Sequence, residues 1–207
     1  MSRNHIDISE IDTWRWRIGQ VVPGLLIGGD LPPDGDEATE GLRAWAEAGV
    51  TDILDVREEW SDEEFVTDLA DWMGYHHLGT HDDGGAQSDE WFDAGVAVAR
   101  AVLDDDEAAL LVHCHMGINR GPSMAFAILL NNGWDPIDAL DAIRAARPIA
   151  AIAYAEDALR WHLTRTGADP DEIELQRKRI ERWHHRNEID VNHVIRRIRR
   201  IENGGAA

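Results

Sequence analysis

The chain has 207 residues, 43% of them hydrophobic, with a formal net charge of -20 and an isoelectric point near 4.7. That length supports one well-buried core with an appended segment and argues against two full domains. The acidic balance argues against nucleic acid or an anionic membrane as the main partner, since each requires a basic footprint.

Residues 1–17 read as a polar lead-in, in which Trp14 and Trp16 alternate with Arg15 and Arg17 and suit either an edge strand or a contact patch. Met1 to Glu10 lacks the apolar core of a signal peptide, and the longest apolar runs, such as Met124 to Leu130, fall far short of a membrane span. The expectation is a cytoplasmic protein without membrane attachment. Gln20 to Ile27 reads as a short strand entered through Pro23 and Gly24, and Leu31 to Asp36, with two prolines, as a loop. Leu42, Trp45, Ala46 and Ala48 give Ala38 to Ala48 helical spacing; Gly49 stops it, and Val50 to Val56 is a second strand.

Phe65 to Met73 repeats the helical spacing, Gly74 breaks it, and Tyr75 to Leu78 is a brief strand running into the polar stretch Thr80 to Ser88. Asp89 to Leu103 reads as a helix, and the five apolar residues Ala108 to Val112 as a central buried strand. After the intervening His113 to Arg120 comes an apolar helix, Pro122 to Leu130, with its proline in the first turn. Two more helices are expected over Asp135 to Ala146 and Ile149 to Thr164, then a linker, Gly167 to Pro170. Asp171 to Ile201 is helical again, with Ile173, Ile180, Trp183, Val191, Val194, Ile198 and Ile201 on one face and a division at Asn187. This order predicts an α/β domain over residues 18–166 with a central, largely parallel sheet flanked by helices, and a helical extension over 171–202.

The two parts differ in charge. Residues 1–170 carry 11 basic against 33 acidic side chains, and residues 171–207 carry 9 against 7. The cluster Arg196, Arg197, Arg199 and Arg200 suits an acidic partner, phospholipid or RNA, or, the favoured reading, a surface helix packing its isoleucine face on the acidic body; self-association through that helix is a further option.

Cys114 is the only cysteine, so no internal disulfide forms and its neighbours decide its role. In His113-Cys114-His115-Met116-Gly117-Ile118-Asn119-Arg120, a cysteine and an arginine stand at the ends of a strand-to-helix loop. A loop curled around an anion turns successive backbone N–H groups inward, and the following helix N-terminus adds partial positive charge. Gly117 permits the curl, and the same field favours the nucleophilic thiolate. The planar fork of Arg120 suits two phosphoryl oxygens at once. A leaving oxygen also needs a proton, for which the loop Thr80 to Ser88 offers the adjacent carboxyls Asp82 and Asp83.

These residues resemble the dual-specificity, or tyrosine-phosphatase-like, family, whose signature is His-Cys, five residues and Arg. The likeness extends over about residues 18–163, including the strand near Val22 to Gly29, the Gly49 to Val56 segment, and the acid loop with its helix, Leu78 to Phe92. It implies that Cys114 is the nucleophile and forms a cysteinyl-phosphate. It also implies that residues His115 to Arg120 bind phosphate and that His113 supports the loop. The family's acid follows the apolar end of a short strand, which with Leu78 selects Asp82 over Asp83. Where the family carries a Ser or Thr after the arginine, this chain has Gly121; that hydroxyl helps the thiolate leave, and Ser123 stands near enough in sequence to replace it.

The resemblance requires no metal or organic cofactor, and His76, His77 and His81 match no metal-ligand spacing. The expected activity is hydrolysis of phosphate monoesters on a phosphorylated protein or a small molecule. Two other readings stay open: a phosphate-binding module with little turnover, which Gly121 suggests, and a sulfur-transfer enzyme with a similar cysteine loop. The absence of lysine from the loop argues against a highly charged inositol phosphate.

Overall fold

In the computed structural model, which describes residues 17–202, the strands are β1 (Gly19–Val22), β2 (Leu25–Gly28), β3 (Asp52–Arg57), β4 (Gly74–Thr80) and β5 (Leu110–His113). The helices are α1 (Gly35–Glu47), α2 (Glu63–Leu69), α3 (Asp89–Val102), α4 (Arg120–Asn131), α5 (Pro136–Ala146), α6 (Ala155–Arg165), α7 (Pro170–Arg186) and α8 (Val191–Glu202). Trp14, Arg15 and Trp16 lie outside the described residues.

The sheet order is β1-β2-β5-β3-β4, parallel except for the antiparallel β1–β2 pair. Side chains alternate across it as strand geometry requires. Leu25, Ile27, Leu54, Val56, Leu110 and Val112 face one core together with α3, α4, α5 and α6. Leu26, Ile53 and Leu111 face the other with Leu42 and Trp45 of α1 and Val66 of α2. β5 is central and wholly buried, so its C-terminal end, where Cys114 follows, is the best-supported point of the sheet. Each fully buried Leu or Ile there contributes about 1.5–3 kcal/mol.

Helix starts are fixed locally. Asp34, Ser88, Asp135 and Asp169 each accept hydrogen bonds from backbone N–H groups in the first turn of α1, α3, α5 and α7. Two expected elements differ. The strand expected over Gln20 to Ile27 is a tight hairpin, because Gly24 adopts φ 80° and turns the chain at the Pro23-Gly24 pair. The helix expected from Ile149 starts only at Ala155: Ile152 sits at φ 56°, and the N–H groups of Ala151 and Ile152 both reach the carbonyl of Ile118. For a β-branched residue such a φ is strained, and it occurs here against the loop that follows Cys114.

Candidate active site

From Cys114 to Arg120 the chain leaves β5, curls and enters α4. Its carbonyls are pinned from outside. The His115 carbonyl accepts the Asp30 N–H at 3.0 Å, and the Ile118 carbonyl accepts the Ala151 N–H at 2.6 Å. The buried Arg147 donates from Nη2 to the Met116 carbonyl at 2.8 Å and from Nε to the Gly117 carbonyl at 2.7 Å. Because C=O and the next N–H point oppositely across a trans peptide, four carbonyls held outward turn the N–H groups of Met116, Gly117, Ile118 and Asn119 toward the hollow. Gly117 is required twice: its φ is +58°, and a Cβ there would lie 2.4 Å from both Arg147 Nε and the Gly28 carbonyl oxygen.

Arg120 closes the loop, almost fully buried. Its end-on edge is taken: Nη1 donates to Glu59 Oε2 at 2.7 Å and to the Thr80 carbonyl at 3.0 Å, and Nη2 to Glu59 Oε1 at 2.8 Å. The side edge differs. Nε is buried, has no hydrogen-bond partner among the described residues, and faces Asp82 Oδ2 at 3.5 Å. Burial alone would lower the Arg120 pKa; the Glu59 hydrogen bonds and the negative charge of Glu59 and Asp82 instead raise it. The same hydrogen bonds hold the Glu59 carboxyl below its ordinary value against partial burial.

Asp82 and Asp83 have different surroundings. Asp82 Oδ1 accepts from Asn119 Nδ2 at 2.6 Å and from the Tyr154 hydroxyl at 2.7 Å, which leaves Oδ2 toward Arg120. Burial and the bond to Asp82 push the Tyr154 pKa up to about 12, so it stays a donor. Asp83 is exposed and accepts its own loop's Gly85 N–H. The loop is braced by buried Gln87, which accepts from Thr80 Oγ1 and donates to the His81 carbonyl.

A buried charge network lies beneath. Arg57 is wholly buried and reaches Asp55, Asp62 and Asp30 at 2.7, 2.7 and 3.3 Å. Asp30 in turn meets His115 Nδ1 at 2.7 Å. His113 is wholly buried, 5.4 Å from the Trp45 ring and with Nε2 3.8 Å from Asp55; burial lowers its pKa, with the Asp55 charge opposing. Ser123 is buried and accepts the Tyr154 N–H at 3.2 Å. At Gly121 a Cβ would stand 3.3 Å from Cys114 N and the Val112 carbonyl oxygen, tight even for a small side chain. The three histidines near the acid loop go separate ways, His76 to Asp52, His77 to the Arg57 carbonyl and His81 to Glu58.

No family model matches the sequence, and no curated protein does. Solved structures do. Human DUSP28 superimposes with a TM-score of 0.58 at 20% identity, covering 72% of this chain and 95% of that one. A mouse putative dual specificity phosphatase complexed with zinc tungstate gives 0.58 at 20%, covering 71% and 87%. The human tyrosine phosphatase-like serine/threonine/tyrosine-interacting protein gives 0.57 at 16%, covering 72% and 97%. The fold is that of the dual-specificity phosphatases. More than a quarter of this chain lies outside each of these superpositions.

The structure thus brings Cys114, the loop, Arg120 and Asp82 together; both carboxyls of the acid loop are exposed, and Asp83 turns back to its own loop's Gly85 N–H. Glu59, Arg147 and Tyr154 went unnoticed in the sequence. Glu59 and Arg147 face the loop from distant segments and carry no local signal, whereas Tyr154 lies in a stretch whose helical spacing pointed elsewhere.

Proposed function

We propose that this chain hydrolyses phosphate monoesters, on phosphotyrosine or phosphoserine/threonine in a protein, through a cysteinyl-phosphate on Cys114. One arrangement carries the reading: the carbonyls of His115 to Ile118 are all hydrogen-bonded to other segments, which turns the N–H groups of Met116 to Asn119 the opposite way, while Arg120 Nε, buried without a hydrogen bond among the described residues, lies 3.5 Å from Asp82 Oδ2. Such preorganised donors suit the equatorial oxygens of a transferring phosphoryl group. Cys114 Sγ attacks phosphorus as the ester P–O bond breaks, and Asp82 Oδ2 gives its proton to the leaving oxygen. Asp82 then takes a proton from water, which attacks phosphorus and releases Sγ. Oδ1 is committed to Asn119 and Tyr154, so Oδ2, which faces Arg120 Nε at 3.5 Å, is the oxygen assigned that proton. The neighbour holding tungstate, a tetrahedral oxyanion, supports the choice of ligand.

Among the described residues no helix is long and apolar enough to cross a membrane. A second reading, a phosphate-binding module, is favoured by one feature: Gly121 supplies no hydroxyl for the departing thiolate. One of the structural neighbours is likewise described as phosphatase-like and interacting.

The test is hydrolysis of an aryl phosphate followed from the first turnover. Sustained, vanadate-sensitive release lost in Cys114→Ser, with Asp82→Asn lowered by about 10²–10⁴-fold, supports the enzyme. A burst followed by slow turnover places the limit at release of Sγ. Bound phosphate without any product formation supports the binding module.

A further inference from the structure

The side chains of the phosphate loop that point away from the hollow are covered by the last described helix. Met116 and Ile118 pack with Ile149 against Val194 and Ile198 of α8, in a cluster separate from the two cores that sandwich the sheet. Val194 and Ile198 are 4% and 0% exposed, as buried as the sheet's own core. With Val191 and Ile195 beside them they form one stripe at the i, i+3, i+4, i+7 spacing of a helix face. The helix is anchored at both ends. At its start Asp190 caps the His193 N–H at 2.8 Å, and just before it Arg144 donates to the Asn187 carbonyl at 2.8 Å. At its end Glu202 lies 3.7 Å from His115 Nε2, on the loop itself.

We infer that α8 is part of the phosphate site: Val194 and Ile198 are positioning residues that hold Met116 and Ile118, and through them the backbone curl between Cys114 and Arg120. This rests on the loop being an anion cradle, as proposed above. The carbonyls are fixed by Arg147, Asp30 and Ala151, but hydrogen bonds set direction, and the depth of the curl also depends on what its outward side chains rest against. The structural neighbours are spanned at 87–97% of their own lengths, while more than a quarter of this chain lies outside the superpositions.

The test compares full-length Ile198→Ala, Val194→Ala and the milder Ile198→Val with Leu42→Ala, a buried aliphatic truncation on the opposite face of the sheet. For each, two quantities are measured: the inorganic phosphate concentration that half-protects Cys114 from iodoacetamide, and kcat/KM for an aryl phosphate. Expected is a rise of about tenfold in half-protecting phosphate and a fall of about tenfold or more in kcat/KM for the α8 alanine variants, since ångström-scale misplacement is costly in such sites. Ile198→Val gives a smaller shift in the same direction, and Leu42→Ala leaves phosphate protection at its wild-type value. Equal shifts in the α8 and Leu42 variants, or none in either, overturn the inference while leaving the phosphatase reading intact. Wild-type Cys114 alkylated at the same rate with and without phosphate overturns the cradle itself, and this inference with it.

Discussion

Glu59 and Arg120 form a pair of unequal exposure: the guanidinium is 3% exposed and the carboxylate 45%. The carboxylate anchors one edge of the fork and aims the other at the hollow. Glu59→Gln keeps shape but loosens the hold on the fork, so kcat/KM is expected to fall about ten- to a hundredfold, with the melting temperature measured beside it to show that the fold is kept. His113 gives a second prediction. It is wholly buried with its pKa lowered, so its unfolded form takes up a proton that the folded form resists. Its contribution to stability is therefore complete above its unfolded value of about 6.5 and is lost as pH falls below it. His113→Phe, which retains a ring against Trp45, is expected to flatten the decline in melting temperature between pH 7 and pH 5. An unchanged decline would assign it to the carboxylates instead.

At the scale of elements, the loop is held by side chains from after α5 and from α8 as much as by its own sequence. Arg147 donates to three carbonyls, those of Arg17, Met116 and Gly117, and no apolar replacement supplies those donors. Arg147→Met is expected to cost about 3 kcal/mol in chemical denaturation and to raise KM more than it lowers kcat, since it loosens binding along the whole loop. The strand, loop and helix around Cys114 were legible because each is written in consecutive residues: an apolar run, a glycine at the curl, a proline in the next first turn. Asp82, which the resemblance selects through its distance from Leu78, is the one of the two carboxyls that stands 3.5 Å from Arg120 Nε. What escaped was written at long range. Glu59, Arg147 and Tyr154 meet their partners across 61, 30 and 72 residues, where no periodicity operates. The misread stretch from Ile149 to Tyr154 has helical spacing, yet the N–H groups of Ala151 and Ile152 reach the Ile118 carbonyl, that of Ala153 the Asn119 side-chain oxygen and that of Tyr154 the Ser123 hydroxyl.

Across the whole molecule, a net charge of -20 surrounds a site proposed to take an anion. The donors of the loop act at contact distance, whereas the body repels approaching phosphate over a Debye length of about 8–10 Å. For a phosphopeptide with acidic flanks, kcat/KM is expected to rise with salt up to about 0.15 M, and for one with basic flanks to fall. Identical salt dependence for both would mean that the body's field does not reach the approaching substrate. Cys114 is also the chain's only cysteine, and it is buried to 2% exposure behind the loop. A sulfenic acid formed there by peroxide has no second thiol in the chain to capture it as a disulfide. With Cys114 as the proposed nucleophile, inactivation by peroxide is expected to be reversed while an external thiol is supplied and to pass on to the sulfinic acid once that thiol is exhausted, so the redox state of this protein would follow that of its surroundings.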